Sequence, residues 1–367
     1  MRSHSYQAPV ERLVVSTYTV PTDLPESDGT LEWGKTTLVL VHAIAAGKTG
    51  LGYTYADQAT ASLIHDHLAK LLAGTDAMAP ASAYMSMWRS IRNLGRPGIC
   101  SMAISAVDCA LWDLKAKLLE LPLVTLLGQV RAGAPIYGSG GFTSYSDDQL
   151  ATQLSGWVHE GISRVKMKVG RDAKKDVRRV RVARDAIGPG AELFVDANGA
   201  YGRKQAVAQA DIFAEYDVSW FEEPVSSDDL EGLRLVRDRA PAVMDIAAGE
   251  YGYDIFYFRR MLAAGAVDVQ QADITRCGGV TAFLQVAALC EAHNLPLSGH
   301  TAPALHTHPG CAIPAFRNLE YFHDHVRIER MFFDGFPELV DGELRPDLSR
   351  PGMGLELKRS DAERYAA

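Results

Sequence analysis

The chain has 367 residues, 47% hydrophobic and 22% charged, with a formal net charge of −8. That is the composition of a globular protein with a large core. The acidity argues against general nucleic-acid binding, and no apolar run reaches the roughly 18 residues of a membrane-spanning helix. Five scattered cysteines without CxxC spacing argue against a disulfide framework or a cysteine zinc site and predict buried free thiols.

At roughly 150 residues per domain the length suggests two domains, although an α/β barrel alone takes about 250. The N-terminus, MRSHSYQAPVERLVV, lacks the apolar core of a signal peptide, so the expected compartment is the cytoplasm. From there to about residue 130, VERLVVSTYTV and KTTLVLVHAIAAGKTGLGYTYA alternate like antiparallel strands. Helical segments follow at about 57–73 and 101–120, giving an α+β domain. PTDLPESDGTLEWG (21–34), polar and rich in turn formers, reads as a surface loop whose functional version is a lid. AAGKTG (45–50) lacks the first glycine of a P-loop and reads as a hairpin turn.

From about 131 to 330 the pattern changes. Short β-branched or apolar runs (APIYGSGG, RVKMKVG, ELFVDANG, SWFEEP, DIAAGE, DVQQAD, LPLSGH and RNLEYF) recur with helix-like segments between them. Leu150, Leu154, Trp157 and Val158 share one helical face, as do Val177, Val180 and Ile187, and Gly188-Pro189-Gly190 ends the second of these helices. Eight strands in such an order predict a TIM-like barrel with its polar rim at the strand C-termini. The alternative, an open doubly wound sheet, would carry a glycine-rich phosphate turn that YGSGGF does not supply. Residues 331–367 are turn-rich and read as a tail packing back on the first domain.

The rim residues carry the chemistry. Lys166 and Lys168, at i and i+2 of one strand, share a face. Asp196, Glu222 and Glu250 end the next three strands, and strands about 4.8 Å apart would make these carboxylates converge. Three carboxylates that close need a cation, and all-oxygen ligation favours Mg²⁺ over Mn²⁺ or Ca²⁺. Period two lets only one of Glu222 and Glu223 face inward. Asp273 and His300, ending the sixth and seventh strands, would form a dyad in which the carboxylate orients the imidazole. His306 and His308 are rivals beyond the strand end, and Glu320 lies on the eighth strand. Each residue alone has a plainer reading: exposed lysines with Met167 inside, helix-capping acids, a structural histidine.

Taken together, the Lys-x-Lys strand, the acids of VDANG, WFEEP and AAGE, the Asp of QQADITRCGG, the His of SGH, the Glu of NLE and the segment ICSMAISAVDCALWDLKAKLLELPLVTLLGQ closely resemble the enolase superfamily, mandelate racemase subgroup, over nearly the whole chain. The resemblance implies a modified (β/α)₇β TIM barrel (131–330) and an α+β capping domain (1–130, lid loop 21–34) completed by the tail (331–367). It implies Mg²⁺ on Asp196, Glu222 and Glu250, and removal of the proton α to a carboxylate through an enediolate. In that pattern Lys168 is the base and Lys166 helps hold the carboxylate. His300 with Asp273 serves the opposite face, and Glu320 hydrogen-bonds the substrate carboxylate, as a protonated donor in our reading.

For Lys168 to be neutral, the Lys166 cation and the metal must lower its pKa to about 7–8. The expected reaction is dehydration of an unphosphorylated acid sugar to a 2-keto-3-deoxy acid, with racemisation, epimerisation or lactone cycloisomerisation as alternatives. Lys48, Tyr53 and Tyr55 of a 45–57 loop would meet sugar hydroxyls, and the resemblance implies a homo-oligomer. Two competitors stand outside that chemistry: a Schiff-base aldolase using Lys166 or Lys168, which needs no converging acids, and a sugar-acid binding protein without turnover.

Overall fold

The computed structural model describes residues 8–367; residues 1–7, including the start of the stretch read for a signal peptide, lie outside the described residues. Three antiparallel strands, β1 (Arg12–Ser27), β2 (Glu32–Ala45) and β3 (Lys48–Tyr55), form the first sheet. Ala46 and Gly47, both at positive φ, turn the chain between β2 and β3, as the hairpin reading of AAGKTG expects. The helix Ile99–Leu118 lies across this sheet so closely that a Cβ on Gly52 would stand 2.3 Å from the Ala106 carbonyl.

Two loop expectations are corrected. Residues 21–34 are mostly strand: β1 runs to Ser27 and β2 starts at Glu32, with a register shift between Pro21 and Glu26. The segment reads as loop because its polar groups bond outward, to the turn that follows the barrel's first strand. Thr143 N donates to the Ser27 carbonyl, and Ser144 Oγ to that of Pro25. Residues 48–55 are likewise strand, and the Tyr53 and Tyr55 hydroxyls both donate to Glu329, at 2.7 and 3.3 Å, as structural anchors. Lys48 is exposed beside Glu120. The helix Pro80–Ser90 was not expected.

Eight parallel strands follow: β4 (Ala134–Gly140), β5 (Arg164–Lys168), β6 (Glu192–Asp196), β7 (Val218–Glu222), β8 (Asp245–Ala248), β9 (Val269–Ala272), β10 (Leu297–Gly299) and β11 (Phe316–Phe322). They pair in sequence order, and β11 pairs back with β4, so the sheet closes into a barrel. The helices between them bury the expected faces, including Leu150, Leu154, Trp157, Val180 and Ile187. Gly188, at φ 72°, ends the helix Ala173–Ile187. Tyr137, Phe194, Trp220, Ala247 and Val269 fill a layer of the barrel interior.

The first sheet's helix is bolted to the barrel through Asp108, whose carboxylate accepts from Thr281 N and Oγ1 at 2.8 and 2.7 Å. The C-terminal residues return to the N-terminal elements: Met353 N donates to Asp113, Gly352 exchanges backbone bonds with Leu121 and Leu123, and Ala367 N donates to Thr17. All five cysteines are buried free thiols. Among the described residues no helix is long and apolar enough to cross a membrane.

Candidate active site

Strand register builds the site. Lys168 on β5 pairs with Asp196 on β6, which pairs with Glu222 on β7, so three ionisable side chains fall on one level of the barrel. Glu250 lies two residues beyond β8, delivered by Gly249 at φ 139°, where a Cβ would stand 2.0 Å from the Gln271 carbonyl. Carboxylate oxygens of Asp196, Glu222 and Glu250 lie within 4.8 Å of one another, and all three residues are buried.

The lysines hold this trio on one side. Lys166, fully buried, reaches Glu222 at 2.6 Å, Glu320 at 2.8 Å and Asp196 at 3.4 Å. Lys168 reaches Asp196 at 2.5 Å. His300 stands on the other side, its Nε2 3.2 Å from Glu250 and its Nδ1 2.9 Å from Asp273. Thr275 N and Oγ1 fix the second Asp273 oxygen. Around the ring, β5 and β10 are three strands apart one way and five the other, so Lys168 and His300 approach from opposite sides.

The structure therefore gathers all eight residues singled out in the sequence. The rival histidines are crosslinks. His306 Nε2 accepts from Ile274 N, and His308 bridges Val124 N and the Met353 carbonyl. Sequence reasoning missed three neighbours, Ser139, Arg276 and Asn198, and read a fourth, Glu223, as excluded by Glu222. Ser139 donates to Glu320 at 2.6 Å; its place two residues after inward-facing Tyr137 was the available signal. Arg276 lies 3.5 Å from Glu250 and 3.4 Å from Asp273. Glu223 is buried beside Glu222 because its backbone turns left-handed (φ 38°) where the strand ends, which period two cannot foresee. Asn198 reaches its place through a similar turn at φ 45°.

Charge decides what the site can hold. Among the described residues, six buried carboxylates (Asp196, Glu222, Glu223, Glu250, Asp273 and Glu320) face four basic groups, Lys166, Lys168, Arg276 and His300. Burial and the adjacent Asp196 push Glu222 up to about 8 against the pull of Lys166. Buried Glu223 Oε1 and Asn198 Oδ1 have no hydrogen-bond partner among the described residues. An excess of carboxylate oxygens around a shared point, with unused oxygen acceptors beside it, fits a hard divalent cation.

Two protonation expectations change. Burial would lower Lys168, but Asp196 outweighs it and holds the ammonium well above its usual range. Glu320 is an acceptor: burial raises it, but Lys166, His300 and Lys168 together hold it well below the usual carboxylate range. It accepts from Ser139, Lys166 and Thr301 N, so it is not the protonated donor expected. His300 is raised to about 10: burial lowers it, and Glu250, Glu320 and Asp273 more than offset that.

A cavity of about 650 Å³ is lined by Thr30, Asn198, Glu223, Tyr251, Tyr257 and Arg260 among others; none of the eight site residues lines it, but Glu223 and Tyr251 directly follow Glu222 and Glu250 in the chain.

Known proteins resemble this chain in sequence and fold. Residues 149–362 match the enolase C-terminal domain-like family, and residues 14–128 match the mandelate racemase / muconate lactonizing enzyme N-terminal domain. A 3,6-anhydro-alpha-L-galactonate cycloisomerase of Streptomyces coelicolor is 35% identical over 321 residues, covering 85% of this chain and 86% of its own. L-talarate/galactarate dehydratase of Salmonella typhimurium is 32% identical over 318 residues, covering 85% and 78%. Its crystal structure liganded with Mg and L-lyxarohydroxamate matches with a TM-score of 0.91 and 28% identity, over 100% of this chain and 95% of that one. A mandelate racemase/muconate lactonizing enzyme-like protein from Rubrobacter xylanophilus matches with a TM-score of 0.96 and 55% identity, over 98% and 100%. The chain belongs to the enolase superfamily, in its mandelate racemase/muconate lactonizing enzyme branch, and is one of its lyases or isomerases.

Proposed function

We propose that the protein removes the proton α to the carboxylate of an acid sugar in a Mg²⁺-dependent reaction and dehydrates the sugar to a 2-keto-3-deoxy acid. The observation that carries this reading is the acidic trio flanked by Lys168 on one side and the His300–Asp273 pair on the other. Asp196, Glu222 and Glu250 would hold the cation. When bound, it supplies Lewis-acid stabilisation of the charge that gathers on the substrate carboxylate.

The chain's own groups do the rest. Lys168 Nζ takes the α-proton. Its ammonium is held by Asp196 alone at short range; once that carboxylate's charge is drawn elsewhere, burial and the Lys166 cation both favour the neutral amine. Lys166, anchored on Glu320, donates to the substrate carboxylate. His300, oriented by Asp273, gives its proton to the departing β-hydroxyl. Residues before about 130 and after about 330 serve as the cap over the 131–330 barrel in this reading. Thr30, at the tip of the β1–β2 hairpin, would meet the substrate's remote end in the 650 Å³ cavity.

Cycloisomerisation is the second reading, favoured by the Streptomyces relative's activity. Incubating a panel of acid sugars and sugar lactones with enzyme and Mg²⁺, followed by NMR, separates them. A keto acid formed with loss of water supports dehydration. Opening or closure of a ring without loss of water, whether or not a keto group appears, supports cycloisomerisation, and stereochemical scrambling alone supports racemisation.

A further inference from the structure

A second set of metal-binding side chains, sharing no residue with the barrel trio, lies where the β1–β2 hairpin meets the helix His323–Phe332 that follows β11. Asp23, Glu26 and His323 each offer a ligand atom, and these atoms lie within 4.8 Å of one another. His323 Nε2 faces the Asp23 carboxylate at 2.9 and 3.2 Å.

Glu26 is the independent observation. It is fully buried; its Oε2 accepts from Trp33 Nε1 at 2.7 Å, while its Oε1 has no hydrogen-bond partner among the described residues. A buried carboxylate without a counter-charge is costly, and natural chains retain one where something binds it. Arg327, engaged with Asp324 and the Pro21 carbonyl, offsets this only in part: burial and Asp324 push the Glu26 carboxyl up to about 8. The side chains of Asp23 and His323 are 40% and 26% exposed, which leaves an entry path.

We propose that Asp23, Glu26 and His323 bind a first-row transition cation, Zn²⁺ in the first instance. One imidazole nitrogen and two carboxylate oxygens are a donor set for such an ion, with the remaining position left to water, whereas the oxygen-only trio in the barrel suits Mg²⁺. The ion would fasten β1 to the start of the helix after β11, the strand that carries Glu320. It would lock the hairpin over the aromatic cluster of Trp33, Phe142, Tyr145 and Phe322.

The test is Zn²⁺ titration of the full chain in saturating Mg²⁺, read by calorimetry and by thermal unfolding. Asp23→Asn and His323→Asn change exposed or half-exposed side chains and are expected to fold. The proposal predicts a Zn²⁺ site retained in Glu222→Gln, with affinity weakened about tenfold or more in Asp23→Asn and His323→Asn. It also predicts a Zn²⁺-dependent rise in Tm that His323→Asn lacks. The proposal is overturned if the wild type takes up no Zn²⁺ under these conditions. It is equally overturned if Asp23→Asn and His323→Asn bind as the wild type does, or if Glu222→Gln alone abolishes binding.

Discussion

Lys166 has three carboxylates within 3.4 Å and no exposure, so its charge is a structural necessity before it is a catalytic one. Lys166→Met would take from buried Glu222 and Glu320 their nearest cation. It should destabilise the metal-free chain by about 3–5 kcal/mol in urea unfolding. The chemistry makes a different demand on Lys168 and His300. Lys168→Met and His300→Asn should each cut turnover by about 10²–10⁴. They should differ in one respect: the variant that keeps its base should still exchange the substrate's α-hydrogen in D₂O while failing to complete the reaction. Equal loss of exchange in both would remove the division of labour.

The eight chemical residues were legible in the sequence because strand period and strand ends are local patterns. Glu223 and Asn198 were not, because each depends on a left-handed residue just past a strand, and nothing in FEEP or DANG announces a positive φ on a non-glycine residue. The protonation states were illegible as well, since they follow from distances between strands far apart in sequence.

At the level of elements, the strand–helix repeat of the barrel could be read directly, because each unit buries its own apolar face. The N-terminal hairpin could not. Its polar residues 21–34 are satisfied by partners more than a hundred residues away, such as Thr143 and Ser144, so the sequence shows turn-like composition where the fold has strand.

The contact between β3 and the helix Ile99–Leu118 was equally silent, and it yields a prediction. Gly52→Ala would press a methyl into the Ala106 carbonyl and the Ala110 amide, 2.3 and 2.4 Å away. It should cost about 1–3 kcal/mol of stability while leaving the Mg²⁺ affinity of the barrel trio unchanged.

The helix Pro303–Ala312 offers a pH test. Burial pushes His308 down to about 4, against an unfolded value of about 6.5. Below 6.5 the unfolded chain takes up a proton that the folded chain refuses, so stability is lost as pH falls. Wild type should therefore lose about 1.4 kcal/mol per pH unit relative to His308→Gln between pH 6.5 and 4, and nothing relative to it above pH 7. A constant difference across that window would place the His308 proton elsewhere.

For the molecule as a whole, the barrel gathers six buried carboxylates against four basic groups, Lys166, Lys168, Arg276 and His300, and the cap packs over them. The relative with 55% identity and the Mg-liganded dehydratase share this architecture over nearly their full lengths.

The account rests on a cation gathered by Asp196, Glu222 and Glu250 that makes a carbon acid reactive. The most direct measurement is the rate at which an accepted acid sugar loses its α-hydrogen signal in D₂O, followed by NMR with the enzyme loaded with Mg²⁺, after chelation, and as Glu222→Gln. The account predicts loss of the signal only in the loaded wild type, restored to the chelated enzyme by added Mg²⁺. Undiminished loss of the signal in chelator, or in Glu222→Gln, would contradict it.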